Sequence, residues 1–194
     1  MQYIIPIVIA ILLTSFTYEV NNYKKSKKIF VVSMLVGVCM GLSILRLYAL
    51  YDLTYYFLMS ALIITFLSIC SIKDIKEKLV PINYIIITFC LGLIMIYFNP
   101  NITLKDALFG VSIGLAFNLL GFITKNSIGQ GDGLVISVVG VVLGWQMTIA
   151  ILLYGLVFSG LYGGFLLIFI KKNRKTKIPF IPFLLLATGL IYLI

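Results

Sequence analysis

Two aspartates stand out by their surroundings. Asp74 lies in Ser71-Ile72-Lys73-Asp74-Ile75-Lys76-Glu77-Lys78-Leu79-Val80-Pro81, and Asp132 in Gly129-Gln130-Gly131-Asp132-Gly133. Each borders an apolar run, with one residue between Asp74 and the end of one and one residue between Asp132 and the start of another. Two carboxylates held a few ångströms apart cannot both ionise cheaply, so one keeps a proton while the other stays charged. That is a general acid beside a general base. The charged member can deprotonate a water that attacks a peptide carbonyl, while the protonated member hydrogen-bonds the carbonyl oxygen and later protonates the leaving amine. Gly129 and Gly131 carry no Cβ, so an extended substrate backbone can approach closely beside Asp132.

Other chemistries are poorly supplied. The chain has no histidine, which removes Ser-His-Asp triads, Cys-His dyads and HExxH zinc sites. Cys39, Cys70 and Cys90 sit in three separate apolar runs without CxxC pairing. Neither a zinc ribbon nor a disulfide framework is supported, and the thiols read as small buried apolar groups. No metal site and no cofactor is expected. The acids also have plainer readings: Asp132 as a helix N-cap with its glycines forming a tight turn, and Asp74 as a solvated loop charge. Asp52, Asp106 and Arg46 read as interfacial charges or caps, and Glu19 and Glu77 as solvated. Gly110 with Gly114, and Gly160 with Gly164, have the small-xxx-small spacing of close helix contacts.

The elements that position these residues follow from composition. Of 194 residues, 62% are apolar and 11% charged, against about half and a quarter in soluble domains. A bilayer core of roughly 30 Å takes about 20 helical residues to cross, so the chain has material for about eight crossings and no separate soluble domain. The eight apolar segments run from about Tyr3 to Tyr18, Ile29 to Leu50, Leu53 to Ile72, Leu79 to Phe98, Ala107 to Thr124, Leu134 to Gly144, Met147 to Ile170, and Ile178 to the C-terminus. The first reads as a retained helix rather than a secretory signal. In the fourth, Pro81 falls in the first turn, where proline is tolerated. The expected fold is an all-α polytopic membrane protein, residues 1–194 forming one transmembrane domain.

The net charge of +9 does not call for nucleic acid, because of where the charges fall. Thirteen of the 15 basic residues lie in the odd-numbered loops: Lys24, Lys25, Lys27 and Lys28; Lys73, Lys76 and Lys78; Lys125; Lys171, Lys172, Arg174, Lys175 and Lys177. Only Arg46 and Lys105 lie toward the other face. By the positive-inside rule both termini are extracytoplasmic and the odd loops cytoplasmic. The bilayer is then the expected partner, and the Lys-rich loops can also attract anionic lipid headgroups. Asp74 and Asp132, 58 residues apart in sequence, share the cytoplasmic face at comparable depth.

These residues carry a family resemblance. Asp74 followed seven residues later by Pro81 of Val80-Pro81 resembles the first signature of type IV prepilin peptidases. Gly129-Gln130-Gly131-Asp132 is similar to the second, GxGD, shared in outline with presenilin-type aspartyl proteases. Ile178-Pro179-Phe180-Ile181-Pro182-Phe183 resembles the IPFxPF start of the family's last helix. The three occur in family order between residues 74 and 183. The resemblance implies a metal-independent aspartic endopeptidase of the cytoplasmic membrane, with Asp74 and Asp132 as the catalytic pair. It would remove the basic leader of prepilin-like or pseudopilin membrane substrates at the cytoplasmic face. Leu134 stands where many members have lysine, and Ile82 where asparagine often follows the proline. The loop from Glu19 to Lys28 has no cysteine-rich module, so the resemblance carries cleavage and gives no support for N-methylation. Two other classes compete: a small transporter or channel using the carboxylates as an ion or proton path, and a non-catalytic assembly factor. The transporter pattern of mid-bilayer charge and an internal repeat is not seen in the chain.

Overall fold

The computed structural model describes residue 37 and residues 41–48, 54–98, 102–124, 129–169 and 178–193. These are helical with short connections, and no strand occurs among them. The helices are α1 (residues 41–48), α2 (Tyr55–Glu77), α3 (Ile82–Phe98), α4 (Leu104–Ile123), α5 (Gln130–Phe169) and α6 (Ile181–Leu193). All but the first two of the eight apolar segments are matched by described helix. The first segment lies outside the described residues, and α1 covers only part of the second.

Local chemistry fixes the helix ends. Thr54 caps α2, its Oγ1 accepting from Phe57 N at 3.4 Å. The helix then runs five residues past the apolar segment, so that Asp74 lies in its last turn. It stops at Lys78, whose φ of 53° is left-handed and whose N–H reaches the Asp74 carbonyl at 3.0 Å. Pro81 precedes α3 rather than lying within it, and its carbonyl accepts from Tyr84 N and Ile85 N. At α4, Thr103 and Asp106 form a reciprocal capping box, so the helix begins three residues before the apolar run. The break expected between Gly144 and Met147 shrinks to one residue. Gly144, at φ 78° and ψ 171°, occupies a region essentially reserved for glycine and kinks α5 without a loop.

The core is built around α2, which is buried almost continuously from Phe57 to Ile72. Helices α3, α5 and α6 pack around it. Helix α4 buries only a narrow edge of Ala107, Gly110, Gly114 and Gly121, because its glycines lie against α5 backbone. A methyl added to Gly110 would collide with Gly140, and one added to Gly114 with Ser137 and Gly133. Such contacts let backbones approach where lipid offers apolar side chains no better partner than they already have. The Gly160 and Gly164 pair behaves differently: a Cβ at either would meet nothing within 4 Å, so the spacing marks no helix contact among the described residues. Leu108, Leu119 and Phe122 of α4 and Leu153, Leu161 and Ile168 of α5 are exposed. Helices α2, α4 and α5 are long and apolar enough to cross a membrane.

Candidate active site

Asp74 is held from two directions. Its own helix ends one turn later, at the left-handed Lys78, whose cation acts on the carboxylate. From across the fold, Ile181 N donates to Asp74 Oδ2 at 3.2 Å, and the Phe180 N–H is a second backbone donor. Helix α6 thus places its free N-terminal amides on an acid 107 residues away. The helix dipole favours negative charge at that point. Asp74 is only 6% exposed, so it is not a solvated loop charge.

Asp132 belongs to the first turn of α5. That helix begins at Gln130, four residues earlier than the apolar run, so Asp132 lies inside it and is not its N-cap. Its N–H donates to the Gly129 carbonyl at 3.1 Å. The side chain folds over Gly129, where an added Cβ would lie 2.7 Å from Asp132 Oδ2. Gly133 lies against the Asn118 backbone, so the turn bearing Asp132 is pressed onto α4.

The fold brings the two acids together: Asp74 lies near enough for its charge to act on Asp132. The turns that follow and precede them also touch. A Cβ on Gly131 would come 2.5 Å from Val80 Cγ2, so Val80 occupies the space beside Gly131. Phe180 stacks on Phe117 of α4 with ring centroids 5.9 Å apart, tying the start of α6 to the same cluster. Asp106 sits at the far end of the bundle, in its capping box and beside Trp145. That agrees with its reading as a cap. Asp52 and Glu19 lie outside the described residues, and Glu77 pairs with Lys76 at 3.7 Å on the surface. Among the described residues no three carboxylate or thiol groups gather as metal ligands.

Comparison with known proteins bears on this cluster. A model of the type IV leader peptidase family matches residues 61–164, a stretch containing both acids. The chain belongs to the type IV leader peptidase family. It is 30% identical over 123 residues to a prepilin leader peptidase/N-methyltransferase of Stutzerimonas stutzeri, covering 60% of this chain and 43% of the relative. Similar proteins of the same description occur in Pseudomonas putida, at 31% over 123 residues with the same coverage, and in Pseudomonas aeruginosa, at 33% over 124 residues covering 60% and 42%. The chain therefore spans less than half the length of these curated relatives. No solved structure matches it.

The motif reading of this leader peptidase family chain missed which groups surround the acids. Phe180 and Ile181 act through backbone N–H groups, which leave no mark on residue type. Val80 was visible only as part of a Val-Pro pair. The one available signal was the IPF segment, an ordered motif with no assigned task.

Proposed function

We propose that this chain is an integral membrane aspartic endopeptidase that removes the basic leader of type IV prepilin-like substrates. Asp74 and Asp132 together activate one water. This reading is carried by two acids remote in sequence that lie near enough to interact electrostatically, Asp74 in the last turn of α2 and Asp132 in the first turn of α5. The Ile181 N–H donates to the Asp74 carboxyl, and in this reading Asp74 carries the charge and Asp132 the shared proton. Asp74 then takes a proton from water as the oxygen adds to the scissile carbonyl, and Asp132 hydrogen-bonds the carbonyl oxygen. Collapse of the tetrahedral intermediate breaks the C–N bond, and the proton taken from water goes to the leaving amine. Gly129 gives the Asp132 carboxylate room to lie over it, while Gly131 faces Val80 inside the protein.

In this reading the protein crosses the cytoplasmic membrane eight times, with both termini outside and the acids at the cytoplasmic face. Lys73, Lys76 and Lys78 lie at the same end of the bundle as the acids, and Arg46 and Lys105 at the other, which supports that orientation. A substrate whose apolar helix stays in the bilayer would enter sideways and present its leader at the helix ends. The experiment is cleavage of a prepilin-like substrate by the purified chain in detergent. Asp74→Asn and Asp132→Asn should each lower kcat by about 10²–10⁴-fold. Wild-type cleavage by either variant overturns the proposal.

A further inference from the structure

Many buried hydroxyls in these helices follow a rule that Ser60 and Ser71 break. Thr65 Oγ1 bonds the Ala61 carbonyl at 2.8 Å, Ser68 Oγ that of Ile64 at 2.7 Å, and Ser137 Oγ that of Gly133 at 3.0 Å. Thr148 and Thr188 do the same, to Gly144 and Leu184. Folding back onto the carbonyl four residues earlier is how a hydroxyl is satisfied in an apolar helix. Ser71 is fully buried, yet its Oγ has no partner among the described residues. A buried polar group left unsatisfied lowers stability, and of the two unpartnered serines of α2 Ser71 is the one near an acid of the site. Ser71 lies one turn before Asp74, and helical side chains lean toward the helix N-terminus, which brings the Asp74 carboxyl toward Ser71. A rotation about χ1 is enough to swing a serine hydroxyl between staggered positions.

Resting on the function proposed above, we infer that Ser71 is a positioning residue, its hydroxyl donating to the Asp74 carboxyl once water and substrate occupy the site. Ile181 N–H and the Phe180 N–H hold that carboxyl from the start of α6, and Lys78 and Asp132 of α5 lie near enough to interact with it electrostatically. The Ser71 hydroxyl adds a donor from Asp74's own helix, so that the carboxyl cannot turn away from the water. Ser60 provides a matched control. It is on the same helix, equally buried and equally without a partner, but 14 residues before Asp74, or about 21 Å along the axis.

The test measures cleavage kinetics and thermal unfolding of the full-length chain in detergent for Ser71→Ala, Ser60→Ala and Asp74→Asn. Ser71→Ala should lower kcat about tenfold, the worth of one hydrogen bond, with KM unchanged and the melting temperature equal or higher. Ser60→Ala should leave kcat within about twofold of wild type, a difference well below that worth. The inference is overturned if Ser71→Ala keeps wild-type kcat, if its loss of activity accompanies a lower melting temperature, or if Ser60→Ala slows cleavage equally. An active Asp74→Asn would instead overturn the two-acid reading beneath it.

Discussion

At the scale of single residues, the site turns on how two identical side chains are treated differently. Asp74 lies in the last turn of α2 and receives an amide from α6; Asp132 lies in the first turn of α5 and folds over a glycine. An acid and a base built from one residue type function only while they share a single proton. Below the range in which the pair titrates both are neutral and no base remains; above it both are charged and no acid remains. The pH dependence of kcat/KM should therefore be bell-shaped, each limb belonging to the pair rather than to one aspartate. A profile that does not fall on the acid side would remove the general base from the mechanism.

At the scale of elements, the two motifs are joined by a contact that neither motif announces. Val80 rests where a Gly131 side chain would be, so the turn after α2 and the first turn of α5 settle against each other. Gly131→Ala should force the stiff Val80 side chain aside, at about 1–3 kcal/mol of overpacking, and slow cleavage by displacing Asp132. Val80→Ala in the same chain makes room for the new methyl and should restore most of the rate. A double variant no better than Gly131→Ala would show that the glycine serves the substrate directly. The α4–α5 interface follows the same logic, with Gly110 on Gly140 and Gly114 on Ser137 bringing two backbones together. It holds the Asp132 turn from behind.

At the scale of the whole molecule, a buried α2 sits inside a shell whose outer side chains are apolar. Such a surface suits lipid as solvent. Orientation can be measured by replacing Cys39, Cys70 and Cys90, then introducing Lys76→Cys or Lys105→Cys singly. A membrane-impermeant maleimide should label Lys105→Cys in intact cells and Lys76→Cys only after permeabilisation. The reverse pattern would invert the topology, and labelling of both from one side would overturn the number of crossings between them.

Helical class and the described segments were legible in the sequence, because apolar run length and charge placement are local properties of the chain. The helix ends were less so: α5 starts at Gln130 and α2 continues to Glu77, since capping and backbone geometry, not hydropathy, decide where a helix stops. Gly110 with Gly114 and Gly160 with Gly164 have the same spacing, yet only the first pair meets a neighbouring helix among the described residues. Spacing describes one helix face and is silent on what lies opposite. The amides of Phe180 and Ile181, the seat of Val80 on Gly131 and the hydroxyl of Ser71 likewise belong to the tertiary structure. Backbone donors are common to nearly every residue, and only folding selects which of them meet a carboxylate.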